Sequence, residues 1–331
     1  MSTSNHSSPY IANKSASAIC VWVFHDHRLG HVKQLRGLVA RLEAQARIHS
    51  CWLDIQDQAL GLKHLFLAPD HLKSLPHPNI ILGAGHKTHW SVLLAARHYQ
   101  AFSTLVMKPS LPLSWFDAII CPEHDQVSPA ENILNTFGPL NCVIPPEDSQ
   151  DITPRSKHLI LVGGPSRHFR FDTHSLLNQI QQLCQESPQR HWILSSSPRT
   201  PTEMLAKLSE LNLANLEIHE YRDQSLEPLD TLLNSADSVW LTPDSMAMIF
   251  EALTAGASVG VFEDAHRPGK AKSRISQQVH ALICSQTIVS FSNRADKPTL
   301  PTKTLWETDR AARWLLQRYA SHQQQVNESH A

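Results

Sequence analysis

Six loops in this 331-residue chain hold residues whose types and spacing could do chemistry. In HDHRLGHVKQ (25–34), Asp26 and His31 could each take the proton from an attacking hydroxyl as a general base. Gly30 would make a tight strand-to-helix turn there. His31 and Gln34 would open the following helix, whose N-terminus favours anions. Two other readings stay open for this loop. Its polar side chains could simply cap the helix. Alternatively, His25, His27 and His31 could hold zinc, although no carboxylate or thiol completes that set by spacing. The expectation is therefore a chain without a metal site.

GAGHKT (83–88) places Gly83 and Gly85 before a helix, offering backbone amides to a phosphate or an acceptor. It lacks both the GxGxxG fingerprint and the P-loop spacing, and a plain tight turn explains it as well. CPEHDQ (121–126) presents Glu123, His124 and Asp125 behind a rigid Pro122, as the lining of a ligand cleft or as a solvated loop. GGPSRHFRFD (163–172) has the makings of a diphosphate cradle. Gly163 and Gly164 permit close backbone approach, Ser166 donates a hydroxyl, and Arg167 and Arg170 supply charge for bidentate phosphate contacts. Its plainer reading is a cationic surface turn.

In TPDSMAMIFEALTAG (242–256), Asp244 or Ser245 would cap a helix. The first-turn amides, including that of Met246, are then free to bind a phosphate. Glu251 follows six residues after Ser245 and could accept two ribose hydroxyls. A glutamate between Phe250 and Ala252 on an apolar helix needs a partner if it is buried. The last loop, HRPGKAKSR (266–274), is locally basic and suits phosphates, an anionic lipid headgroup or plain solvent.

Behind these loops, short apolar runs alternate with amphipathic stretches. Strands are expected at 18–24, 48–52, 79–82, 102–107 and 116–121, with helices over 31–45 and 90–98 between them. A second series has strands at 159–162, 192–195, 216–219, 238–241 and 258–262, and helices over 172–185, 202–211, 245–255 and 304–319. Thr200 or Thr202 would cap the second of these helices. Gly256 would stop the third. The order predicts two doubly wound parallel sheets. The Pro- and Asp-rich stretch 142–157 is the expected linker. The resulting division is a disordered lead-in over 1–17, domains over 18–150 and 151–305, a helix over 306–321 that could pack on the first domain, and a disordered tail over 322–331. Ligands of such sheets bind outside the carboxyl ends of the strands, where these loops lie.

Composition narrows the function classes. With 41% hydrophobic and 18% charged residues the chain is ordinary globular protein, and a net charge of -1 argues against nucleic acid as a partner. The six cysteines are scattered without a CxxC pair, as expected of free thiols in a cytoplasmic protein. No apolar run reaches the roughly 18 residues that span a bilayer, although peripheral membrane contact stays open as a partner class.

Taken in order, five of these segments resemble one family. Asp26 through Gln34 resemble a D-G-K-A-G-H-x-x-Q opening, and GAGHKT a second glycine turn. FDAIICPEHD with NILNTFG (132–138), GGPSRHFRFD and TPDSMAMIFEAL resemble the remaining blocks, over about residues 19–262. The family is the mitochondrial fission (elongated-mitochondria) family of glycosyltransferase-like proteins, with bacterial and plant members. The resemblance implies a GT-B fold, in which two Rossmann-like domains face a central cleft. The second-domain motifs are also similar to those of the undecaprenyl-muramoyl-pentapeptide N-acetylglucosaminyltransferase group. That likeness implies that Gly164 and Ser166 contact a diphosphate, that Ser245 and Met246 offer amides, and that Glu251 binds ribose. It puts His31 on the acceptor side, in a loop shared with Gly30 and Gln34, and we group Gly85, Glu123, His124 and Asp125 with that side.

Two positions depart from the pattern: His27 stands for glycine and Leu29 for alanine. A histidine at positive φ would be strained. The expected activity is metal-independent sugar transfer from a nucleotide-diphosphate donor, UDP-linked by the resemblance, to an unknown acceptor such as an envelope glycan or lipid, with no cofactor beyond the substrate. The alternatives are a non-catalytic scaffold on the same fold, suggested by the association of plant members with recruitment of a fission GTPase, and a sugar-nucleotide epimerase.

Overall fold

The computed structural model describes residues 18–56, 70–146, 155–166, 171–223, 225, 227–263, 273–296 and 305–330. It forms two compact units. Among the described residues, unit one comprises 18–121, 127–135 and 308–330, and unit two comprises 122–126 and 136–307.

The first unit opens with β1 (Ile19–His25), α1 (Leu29–Gln45) and β2 (Ile48–Asp54). After the short α2 (Asp70–Lys73) come β3 (Ile80–Ala84), α3 (His89–Tyr99), β4 (Phe102–Val106), β5 (Ala118–Pro122) and β6 (Ile133–Thr136). They build a six-stranded sheet in the order β2-β1-β3-β4-β5-β6. The pairings from β2 through β5 are parallel. Sequence pattern explains the positions. The central strands β3, β4 and β5 are fully buried, as a strand covered on both faces must be, and are apolar apart from Ser103 and Thr104 of β4. β2, IHSCWLD, carries polar residues and sits at the edge. Leu35, Leu38, Val39 and Leu42 line the buried face of α1 at helical spacing.

The second unit runs β7 (Lys157–Leu161), α4 (Thr173–Glu186), β8 (Trp192–Ser195), α5 (Thr202–Glu210), β9 (Leu216–His219), α6 (Leu229–Asn234), β10 (Ala236–Leu241), α7 (Met246–Thr254), β11 (Ser258–Val261), α8 (Arg274–Cys284) and β12 (Val289–Ser290). Its sheet is also six-stranded and parallel, in the order β12-β11-β10-β7-β8-β9. Asp172 caps α4 by accepting the Ser175 amide at 3.1 Å. At the end of α7, Gly256 takes φ 75, and Arg155 donates to the carbonyls of Ala255 and Gly256 that the helix leaves unpaired.

Several expectations need correction. The second unit starts ahead of the 142–157 stretch and includes its first residues: Asn141 donates to Thr254 Oγ1 at 3.0 Å, a Cβ on Gly138 would strike the Phe250 ring, and Val143 joins the unit's core. The last helix, α9 (Glu307–His330), runs on through the expected tail. It is anchored in the first unit, where Arg41 and Gln45 of α1 both bond Asp309 Oδ1, at 2.6 and 2.7 Å. Neither threonine caps α5, whose N-cap is Pro201. The sequence reading did not include α2, β6, α6, α8 or β12. Residues 1–17 lie outside the described residues, as do 264–272, most of the basic loop.

Candidate functional site

Each sheet has one place where the strand order reverses, and loops on its two sides run in opposite directions and open a crevice. In the first unit this is the carboxyl end of β1 and β3. Asp26 follows β1 and is 6% exposed. His31, in the first turns of α1, brings its Nδ1 to 2.9 Å from Asp26 Oδ1. A carboxylate on Nδ1 holds that nitrogen as the donor, which leaves Nε2 of a neutral imidazole as the proton acceptor. Gly85, after β3, has φ 84 and ψ 153, a region open to glycine alone, and a Cβ there would fall on the His31 ring. The glycine turn therefore makes room for the imidazole, and the two loops converge on one group.

The turn expected of Gly30 is made elsewhere. Gly30 lies within α1 with open space around it, and His27 takes the left-handed conformation at φ 59. Gln34 is buried and donates to the Gly30 carbonyl at 3.3 Å and to Met107 Sδ at 3.5 Å. Glu123, His124 and Asp125 do not join this group. They form a 3-10 turn belonging to the second unit, where it contacts α8. Burial pushes the His124 imidazole below its ordinary pKa, with Arg274 adding to the effect and Asp125 opposing it.

One residue near β3 was missed by the sequence reading. His89 opens α3 and is 1% exposed. Its Nδ1 accepts the Ser110 amide at 3.1 Å. Burial, aided by His86 and His31, pushes its pKa down to about 4, so the ring is neutral near pH 7.

In the second unit the order reverses between β7 and β10. Gly163 follows β7 and Thr242 follows β10, and the Gly163 amide donates to Thr242 Oγ1 at 2.7 Å. Thr242 in turn donates to Asp244 Oδ1 at 2.6 Å. Asp244, its side chain fully buried, receives Arg199 Nη2 at 2.5 Å and the Gly164 amide at 3.4 Å. Thr200 bonds the Val162 and Gly163 carbonyls, at 2.8 and 2.7 Å. A Cβ on Gly163 would fall on the Asp244 carboxylate, and one on Gly164 on the main chain of Arg199. These glycines thus let three loops close on each other, and their amides point into the protein.

Asp244 is a hub of this network and not a helix cap. Ser245 caps α7, accepting the Met248 amide at 3.4 Å. The amides of Met246 and Ala247 remain in the first turn, where a helix has no internal acceptor for them. Glu251 lies further along α7 and is 4% exposed. Ser166 ends a described stretch, and Arg167 and Arg170 lie outside the described residues. Arg199, Thr200 and Thr242 are the additions. All three follow strands at the carboxyl edge, a signal legible in the sequence, but 196–200 was read only as the approach to a helix.

Among the described residues, one cluster could hold a metal: His25, His27 and Asp54. His31, the third histidine of the zinc alternative, is engaged with Asp26 instead. No described helix is long and apolar enough to cross a membrane, and all six cysteines are free, Cys20, Cys121 and Cys184 being buried.

Comparison with known proteins gives a family and a fold. The family model described as mitochondrial fission ELM1 matches residues 29–319. An uncharacterised protein of Rickettsia prowazekii (strain Madrid E), RP120, is 24% identical, with 87% of this chain and 96% of that protein covered. Among solved structures, the glycotransferase of kitacinnamycin is similar at TM-score 0.54 and 11% identity, over 92% of this chain and all of that one. The UDP-GlcNAc 2-epimerase of Neisseria meningitidis, bound to UDP-GlcNAc, is similar at TM-score 0.54 and 14% identity, over the same shares. The fold shared with these proteins is of the GT-B type.

Proposed function

We propose that this chain, which belongs to the mitochondrial fission ELM1 family, is a glycosyltransferase that moves a sugar from a nucleoside-diphosphate donor to a hydroxyl acceptor. The observation that carries the reading is the Asp26–His31 pair at the strand-order reversal of the first sheet. A buried carboxylate that fixes an imidazole is what proton abstraction from an acceptor hydroxyl requires. His31 Nε2 takes the proton, and Asp26 stabilises the imidazolium that forms.

The donor belongs to the second unit. The diphosphate meets the first-turn amides of Met246 and Ala247 at the positive end of α7, with Ser166, Arg167 and Arg170 supplied by the loop after β7. These groups stabilise the charge on the departing nucleotide without a metal ion. Glu251 is the ribose ligand. UDP is the first candidate nucleotide, since one structural neighbour holds UDP-GlcNAc.

The test is to incubate the protein with UDP-, GDP- and ADP-sugars, with and without cell-envelope extract, and to follow release of the nucleoside diphosphate. Acceptor-dependent release from one donor, absent in His31→Ala, supports the reading. Conversion of a UDP-sugar to its epimer without acceptor would replace transfer with epimerisation.

A second reading has its own support. The Gly163 and Gly164 amides are directed at Thr242 and Asp244, and Glu251 is 4% exposed. A GT-B fold with these groups committed inward suits a non-catalytic scaffold. A chain that releases no nucleotide from any donor yet holds a stable protein partner would favour it.

A further inference from the structure

We propose that His25, His27 and Asp54 form a binding site for a zinc-class divalent cation in the first unit. The ligand atoms of the three side chains lie within 4.8 Å of one another. The fold brings them together from two strands. β1 and β2 pair in parallel with His25 opposite Asp54, so the last residue of each strand faces the other across the sheet edge. His27 lies just beyond β1, and its Nε2 meets Asp54 Oδ2 directly. Asp26, between the two histidines, goes instead to His31, so the set competes for no ligand with that pair. The missing carboxylate comes from a strand 27 residues further on, beyond the reach of any local spacing rule.

One observation points to a ligand and not to an ion pair alone. The Nδ1 of His25 is buried and has no hydrogen-bond partner among the described residues. A cation bound there satisfies it. The donor set, two imidazoles and one carboxylate, suits Zn²⁺, Co²⁺ or Fe²⁺ and discriminates against Mg²⁺ and Ca²⁺, which prefer all-oxygen shells.

Three protein ligands leave a coordination position open. His25 and His27 also line a cavity of about 580 Å³, together with Arg36, Glu43 and Trp52. The open position thus has space for a water or an oxygen ligand. The three ligands all belong to the first unit, whereas the nucleotide is proposed for the second.

The experiment is calorimetric titration of chelator-treated full-length protein with Zn²⁺, and with Mg²⁺ for contrast, in wild type, His27→Gly and Asp54→Asn. Glycine suits φ 59, so His27→Gly removes a ligand while relieving the backbone, and its melting temperature without metal should equal or exceed that of wild type. The expected result is one tight Zn²⁺ per wild-type chain, no competition from Mg²⁺, affinity weakened about 100-fold or more in each variant, and a Zn²⁺-dependent rise in melting temperature confined to wild type. Either of two results overturns the site: no stoichiometric Zn²⁺ on wild type, or undiminished binding in both variants, which would place the metal on other histidines of the chain.

Discussion

His31 and Gly85 occupy the same space from two loops: the imidazole fills the volume that any Cβ on Gly85 would take. One loop follows β1 and the other β3, so a pair distant in sequence fixes the candidate base at the strand-order reversal. Gly85→Ala should therefore do two things. It should destabilise the protein by about 1–3 kcal/mol, because φ 84 with ψ 153 is strained for alanine. It should also push the His31 ring off Asp26. Chemical denaturation reads the first effect, and the imidazole NMR signals read the second.

If His31 is the base, its loss should leave donor binding alone. His31→Ala should slow sugar transfer by about 10²–10⁴-fold, with nucleotide affinity unchanged by calorimetry. Asp26→Asn should fall in the same range, since the asparagine no longer holds Nδ1 as the donor. Equal losses of affinity and rate would assign both residues to binding instead.

Arg199 should matter to stability through Asp244. The carboxylate is fully buried and the guanidinium side chain is 44% exposed. Arg199→Met leaves the buried charge to the Thr242 hydroxyl and the Gly164 amide and should cost about 2 kcal/mol, below the range for a fully buried pair because solvent already screens the arginine. Adding Asp244→Asn to that variant should recover part of the loss. Urea denaturation of the single and double variants measures it.

His89 gives the fold a defined acid sensitivity. Its pKa falls from 6.5 to about 4 on folding, so between those values the unfolded chain binds more protons than the folded one. Its contribution is whole above pH 6.5 and is lost as pH drops toward 4, on the order of 3 kcal/mol at most. The Glu186–Arg294 pair acts lower. Arg294 holds Glu186 down to about 2, so that contribution is present above the usual carboxylate range and is lost as pH falls toward 2. Urea melts at pH 7, 5.5 and 4 should show a slope for wild type that His89→Gln reduces.

Most strands were legible because a parallel strand buried on both faces is an unbroken apolar run, as AICVWVF and AIIC are. The helices α6 and α8 were not. LDTLLN is less than two turns, too short for a periodic signal, and α8 opens on Arg274, the last residue of the basic loop, so loop and helix run together without a break in composition. The loops of interest were found because they follow strands. What each residue does there was harder to read. Asp244 has the type and position of a helix cap, and only the approach of Arg199 from after β8 makes it a buried ion-pair partner. Asp54 carried no local motif at all, since its relation to His25 is a strand register. Gly30 and His27 were assigned on type, and the backbone puts its positive φ on the histidine.

Sugar transfer requires the second unit to hold a nucleoside diphosphate, proposed here at the start of α7 with Glu251 on the ribose. Calorimetric titration of wild type, Glu251→Ala and the shape-preserving Glu251→Gln with UDP, GDP, ADP and CMP tests it most directly, with melting curves to show that each variant is folded. Wild type should bind one nucleoside diphosphate selectively, and both folded variants should bind it at least about tenfold more weakly, a loss of roughly 1.4 kcal/mol. Binding of no nucleotide by wild type, or equal binding by the folded variants, would contradict the proposal.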